Sequence, residues 1–155
     1  MGKVISIPIL PHLKKIILKT QQDHEPVKAE LSNMLGLQIY SLLHDKTRES
    51  IVSPEKFKHN LSVEICYDIK KRNHRVGRLI LINKFYSEYF KFLMFSWMIA
   101  QYEAGIPSYQ GIKNFLDHYG ILEEEYSYDT GYRAWLRFKN DEHDRLKKKK
   151  VAILS

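Results

Sequence analysis

Arg133 and Arg137 stand four residues apart in "SYDTGYRAWLRFK", so a helix through this stretch puts both on one face. An arginine fork matches the two acceptors that guanine shows in the major groove. Thr130, Tyr132 and Lys139 flank them and can add phosphate contacts. The chemistry expected here is DNA recognition by the second helix of a helix-turn-helix-like unit over 108–140. A second cluster, "KKRNHRVGR", sets Lys70, Lys71, Arg72, Arg75 and Arg78 within nine residues and is expected to hold backbone phosphates. Two features oppose this reading. Glu123, Glu124 and Glu125 lie beside the proposed DNA face, and the segment 106–140 holds 4 basic against 5 acidic residues. The competing reading is two packing helices with an ordinary polar face.

Other chemistries find less support. None of the seven histidines pairs with a second histidine or a cysteine at metal-ligand spacing on one helix. The glutamate run has no defined catalytic partner. No serine or cysteine sits in a nucleophile motif, and no glycine-rich phosphate loop occurs. The expectation is a non-enzymatic protein with no catalytic residues, no metal and no cofactor. The one cysteine, Cys66, permits no internal disulfide and agrees with a reducing compartment.

A chain of 155 residues with 44% hydrophobic content can bury a core without cross-links. Its net charge of +7 is concentrated: residues 56–91 hold 9 basic and 3 acidic groups. Such an excess suits a polyanionic partner. The most apolar run, Leu79 to Ala100, contains Asn83, Lys84, Glu88 and Lys91, so no membrane span is expected. No cleavable leader is visible. The protein is expected in the cytoplasm.

The elements that must position these side chains follow from pattern. "KVISIPIL" reads as a strand over Val4–Ile9, with Pro8 marking an edge. A helix follows from Pro11 to about Thr20. "QQDHEPVKAE" reads as a polar loop. Ser32 or Asn33 can cap a helix over Met34–His44. "LSVEICYDI" alternates as a half-buried strand, Leu61–Ile69, able to pair with Val4–Ile9. A long helix is expected over 80–103, with Val76–Ile82 as a strand the alternative for its start. From Phe92 to Ala100 it is apolar all round, which suits a central helix or a subunit interface. Gly105 and Pro107 end it. Helix 109–119 stops at Gly120, and a capped helix from Tyr128 to about Asn140 precedes a frayed basic tail. The fold class is therefore α+β, mostly α. A small two-stranded sheet joins a helical bundle around one long helix. A single domain covers 1–140, and a flexible tail covers 141–155.

The run "IKNFLDHYGILEEEYSYDTGYRAWLRFK" resembles the C-terminal part of small uncharacterised proteins of Bacteroides-type mobile elements and prophages. The pattern lies on Tyr119, Gly120, Ile121, Glu123, Glu124, Asp129, Tyr132 and Arg133. The resemblance covers about 30 residues and implies a small helical, regulatory protein of such an element. The leading expectation is a DNA-binding accessory or regulatory protein whose partner is double-stranded DNA. The alternative is a protein–protein adaptor or a self-associating helical protein, with a homodimer as its simplest form.

Overall fold

Two β-branched stretches of the first half find each other. Strand β1, Lys3–Ile9, pairs antiparallel with β3, His59–Ile65, Ile5 opposite Val63 and Ile7 opposite Leu61. The fold is a computed structural model that describes residues 2–21, 23–44, 57–68 and 76–154. Helices α1 (Pro11–Thr20) and α2 (Met34–His44), and the helices α3 (Ile82–Glu103), α4 (Ser108–His118) and α5 (Tyr128–Leu154), make the chain an α+β protein of mostly helical content. The chain divides into two compact units, Met1–Phe90 and Lys91–Ser155, and the division falls within α3.

The sheet has three strands rather than the expected two. Its third member is β2, Val27–Ala29, parallel to β3 with Val27 opposite Val63, in the order β1-β3-β2. The sequence around it reads as polar loop because a three-residue strand is too short to show alternation. Yet Val27 and Ala29 are fully buried and Lys28 between them is exposed.

In the first unit, Leu61, Val63 and Ile65 of β3 turn inward with Ile7 and Ile9 of β1, as the period of two requires. The apolar stripe of α1, Leu13, Ile16 and Ile17, is wholly buried. Asn83 is a polar stitch within this unit. Its Oδ1 accepts the Leu10 N–H at 2.9 Å, and its Nδ2 donates to the carbonyls of Pro8 and Ile80. A buried amide is tolerated because its donors and acceptor are all used.

Asn33 caps α2: its Oδ1 accepts the Gly36 N–H at 2.8 Å, while its Nδ2 holds the Lys28 carbonyl. Gly36, which argues against helix on propensity, sits where a Cβ would lie 2.0 Å from the Glu30 carbonyl oxygen. Its carbonyl accepts the Tyr67 hydroxyl, and burial pushes the Tyr67 phenol up to about 12. Glu25 is ion-paired to Lys14 at 3.0 Å and accepts the Ser62 N–H at 2.7 Å. Burial raises its carboxyl, but the Ser62 hydrogen bond and Lys14 outweigh that and leave it below the usual range.

Val76–Leu81 is a 3-10 segment leading into α3, and not a strand. Within the second unit α3 buries Met94 and Met98, but Phe92 is 64% exposed and Ile99 43%. The stretch that looks apolar on every side therefore keeps one face in solvent. Among the described residues no helix is long and apolar enough to cross a membrane.

A candidate nucleic-acid interface on the last helix

The second unit builds α5 onto a small aromatic core. Ile112, Phe115 and Leu116 of α4 are buried, as is Trp135 of α5. The Trp135 Nε1 donates to Ser108 Oγ at 3.2 Å, fixing the start of α4 against the second turn of α5. Phe138 stacks on Phe95 with ring centres 4.5 Å apart. Gly131 lies at the crossing: a Cβ there would stand 3.3 Å from both Ile112 and Tyr126. A side chain there would press on both.

Between the helices run residues 119–127. Gly120 adopts φ 64°, the left-handed conformation that releases the chain from α4. Two of the three glutamates that follow it bind backbone N–H groups. Glu125 Oε2 accepts the Leu122 N–H at 2.8 Å, and Glu123 Oε2 accepts the Tyr128 N–H at 3.0 Å. Ser127 Oγ accepts the Thr130 N–H at 3.2 Å and shares a 2.7 Å hydrogen bond with the Thr130 hydroxyl. The N-terminus of α5 is thus closed by the chain's own oxygens, which complement its partial positive charge. A recognition helix that presents its N-terminus to DNA would need that end open.

The side chains expected to read DNA occupy the first half of α5, and most have work there. Arg133 is exposed, its Nε 2.9 Å from Asp129 Oδ2. Arg137 is exposed, and its Nε donates to the Arg133 carbonyl at 3.4 Å. Burial raises the Tyr126 phenol, and the Arg137 charge counteracts part of that. Tyr132 is half-buried and stacks on Tyr128 at 6.0 Å. Lys139 is half-buried with its ammonium 5.6 Å over the Trp135 ring. Thr130 is spent in the cap.

Of the basic cluster, Lys70, Lys71, Arg72 and Arg75 lie outside the described residues. Arg78 does not join a surface cluster. It is 8% exposed, held in the 3-10 segment between the exposed Gly77 and the buried Leu79. A side chain so enclosed cannot act as a phosphate anchor. Among the described residues no group of His, Cys, Asp and Glu is arranged to hold a metal ion.

Helix α5 does not stop near Asn140. It continues as one helix of 27 residues to Leu154, about 40 Å long. Every residue from His143 to Leu154 is exposed. This half carries Arg145 and Lys147, Lys148, Lys149 and Lys150, with no acidic residue beyond Asp144. Arg145 pairs with Glu142 at 3.2 Å. The four lysines point around the helix at about 100° per residue, so they form a cationic rod rather than one charged face. The sequence does hold a signal for it. Asp141 and Asp144 each precede a cation by four residues, and no glycine or proline interrupts the run.

Comparison with protein-family models, with curated proteins and with solved structures yields no match.

Proposed function

We propose that this chain is a non-enzymatic DNA-binding accessory or regulatory protein that grips duplex DNA chiefly through the far half of α5. The observation that carries this reading is the continuation of α5 to Leu154, where Arg145–Leu154 is fully exposed, holds five cations and has no acidic residue. A helix of this width fits the major groove, and cations distributed around it reach phosphates on both walls. Arg133 and Arg137, on the first half of the same helix, are the candidates for base contact. Their local partners make discrimination the weaker component. The resemblance of the run from Ile112 to Lys139 to proteins of mobile elements supports an accessory role, and such a role belongs in the cytoplasm.

The test is the anisotropy of a labelled random duplex titrated with the full chain over a series of salt concentrations. Binding that weakens steeply with salt is expected. No binding at low salt overturns the proposal.

One observation favours the adaptor reading. Phe92, Ile99 and Tyr102 of α3 are 64%, 43% and 66% exposed, and they follow one another at helical spacing. Loss of self-association or partner binding in Phe92→Ser, with DNA binding absent from the native chain, would make the adaptor the better account.

A further inference from the structure

The backbone of β1 has one edge in use and one open. In β3 the N–H of Cys66 donates to the Ala29 carbonyl of β2, and the N–H of Ser62 donates to Glu25 on the same side. A strand residue directs its N–H and C=O to one side, and the side alternates along the chain. Ser62, Glu64 and Cys66 therefore face β2, and Leu61, Val63 and Ile65 face β1. Their partners in β1 are Ile7, Ile5 and Lys3. It follows that Val4, Ser6 and Pro8 direct their backbone groups away from the sheet.

That outer edge is closed at both ends. Pro8 has no N–H, and its carbonyl accepts Asn83 Nδ2 at 2.9 Å. Gly2 donates its N–H to Glu64 Oε1 at 3.3 Å. Between them stand Val4 and Ser6, both exposed, Val4 to 55%. Among the described residues no group donates to or accepts from their outward N–H and C=O. The open segment is two donors and two acceptors placed symmetrically about Ile5.

We infer that this edge pairs with the same edge of a second copy, β1 antiparallel to β1 about a two-fold axis at Ile5. In that register Val4 faces Ser6 of the second copy and Ser6 faces its Val4. Four N–H···O=C bonds form and no open group of the segment is left over. The two Ile5 side chains become a non-hydrogen-bonded pair, the arrangement in which facing Cβ atoms come closest. Ile5 is only half-buried in one copy, between the exposed Val4 and Ser6 and one step from the fully buried Ile7, so the contact completes its burial. Each Lys3 lies opposite an Ile7 and not opposite the other Lys3, so no like charges meet. A longer extended peptide from another protein would find its pairing cut off at Pro8 and at Gly2. The short symmetric register loses nothing there. The result is a six-stranded sheet spanning two copies.

Sedimentation equilibrium of the full chain without DNA, over a concentration series, tests this. The native chain is expected as a monomer–dimer equilibrium. Ser6→Pro removes one outward donor and places its ring at the edge. It leaves the Ile5 and Ile7 bonds to β3 in place, as Pro8 already does. Its mass is expected to halve to that of one chain, with an unchanged far-ultraviolet circular dichroism spectrum. Amide exchange of the native chain gives a second readout that needs no variant. The Val4 and Ser6 amides are expected to exchange more slowly as concentration rises. A native chain that stays monomeric at its highest soluble concentration overturns the inference. So does a folded Ser6→Pro variant that remains dimeric, or Val4 and Ser6 exchange that is independent of concentration.

Discussion

The two halves of α5 carry three and five cations and use them in opposite ways. In Tyr128–Asn140, Arg133 is paired to Asp129 and Lys139 lies on Trp135. In the half that follows every cation is exposed, and Arg145 pairs with Glu142. The first half is fixed by packing, through Trp135, Phe138 and Gly131. The second is helical because the helix is already nucleated and because its residues favour helix. A charge bound to its own structure is a poor probe for a partner, whereas one held out on a rigid rod keeps its field for whatever approaches. Length and exposure, more than the identity of the two arginines, are therefore what the proposed DNA contact of α5 rests on.

The comparison breaks most sharply on stability. Trp135→Ala removes the ring that packs against the Phe95 and Phe138 pair and also the Ser108 hydrogen bond. It is expected to cost about 3–5 kcal/mol in urea unfolding. Leu146→Ala in the far half, where the side chain is 57% exposed, is expected to shift stability by less than about 0.5 kcal/mol. Equal losses would mean that the far half is packed too.

Next comes affinity. Replacing Lys147, Lys148, Lys149 and Lys150 by Gln is expected to reduce the salt slope of duplex binding by about 3 to 4, since each phosphate contact contributes roughly 0.9. The unfolding midpoint should not move. An unchanged slope would shift the contact to another surface.

A smaller effect is expected at the start of the helix. Ser127→Ala removes the acceptor for the Thr130 N–H and should cost about 1 kcal/mol. DNA affinity should be unaltered if the N-terminus of α5 stands off the duplex. The smallest effect sharpens the role of Arg133. Asp129→Asn releases it from its partner, and affinity should rise no more than about fivefold, because an exposed ion pair is worth at most about 1 kcal/mol. A much larger gain would show Arg133 to be a principal contact that Asp129 holds back.

One prediction concerns pH. The Glu25 carboxyl is lowered on folding, so the stability it adds is present above its unfolded pKa and is lost as pH falls through the folded value. Native Glu25 and Glu25→Gln should therefore differ in unfolding free energy at neutral pH and converge in acid.

By itself the sequence determined the elements whose cause is local. The alternation read over Leu61–Ile69 signals β3, although the strand itself is His59–Ile65, Asn33 and the apolar spacing set α2, and Gly120 ends α4, because period, caps and left-handed glycine act over a few residues. The pairing of β1 with β3 was also legible, since both segments read as strands from their residues. What only the tertiary structure decided depends on atoms distant in the chain. β2 is a strand because β3 offers it a ladder, and no pattern in three residues can show that. Arg78 is inside because its segment packs into the first unit, although its neighbours in sequence are among the most basic in the chain. Glu123 is also a helix cap, because the turn folds it onto the Tyr128 N–H. The apolar run of α3 left one face in water, since a hydropathy pattern records what could be buried and only packing records what is.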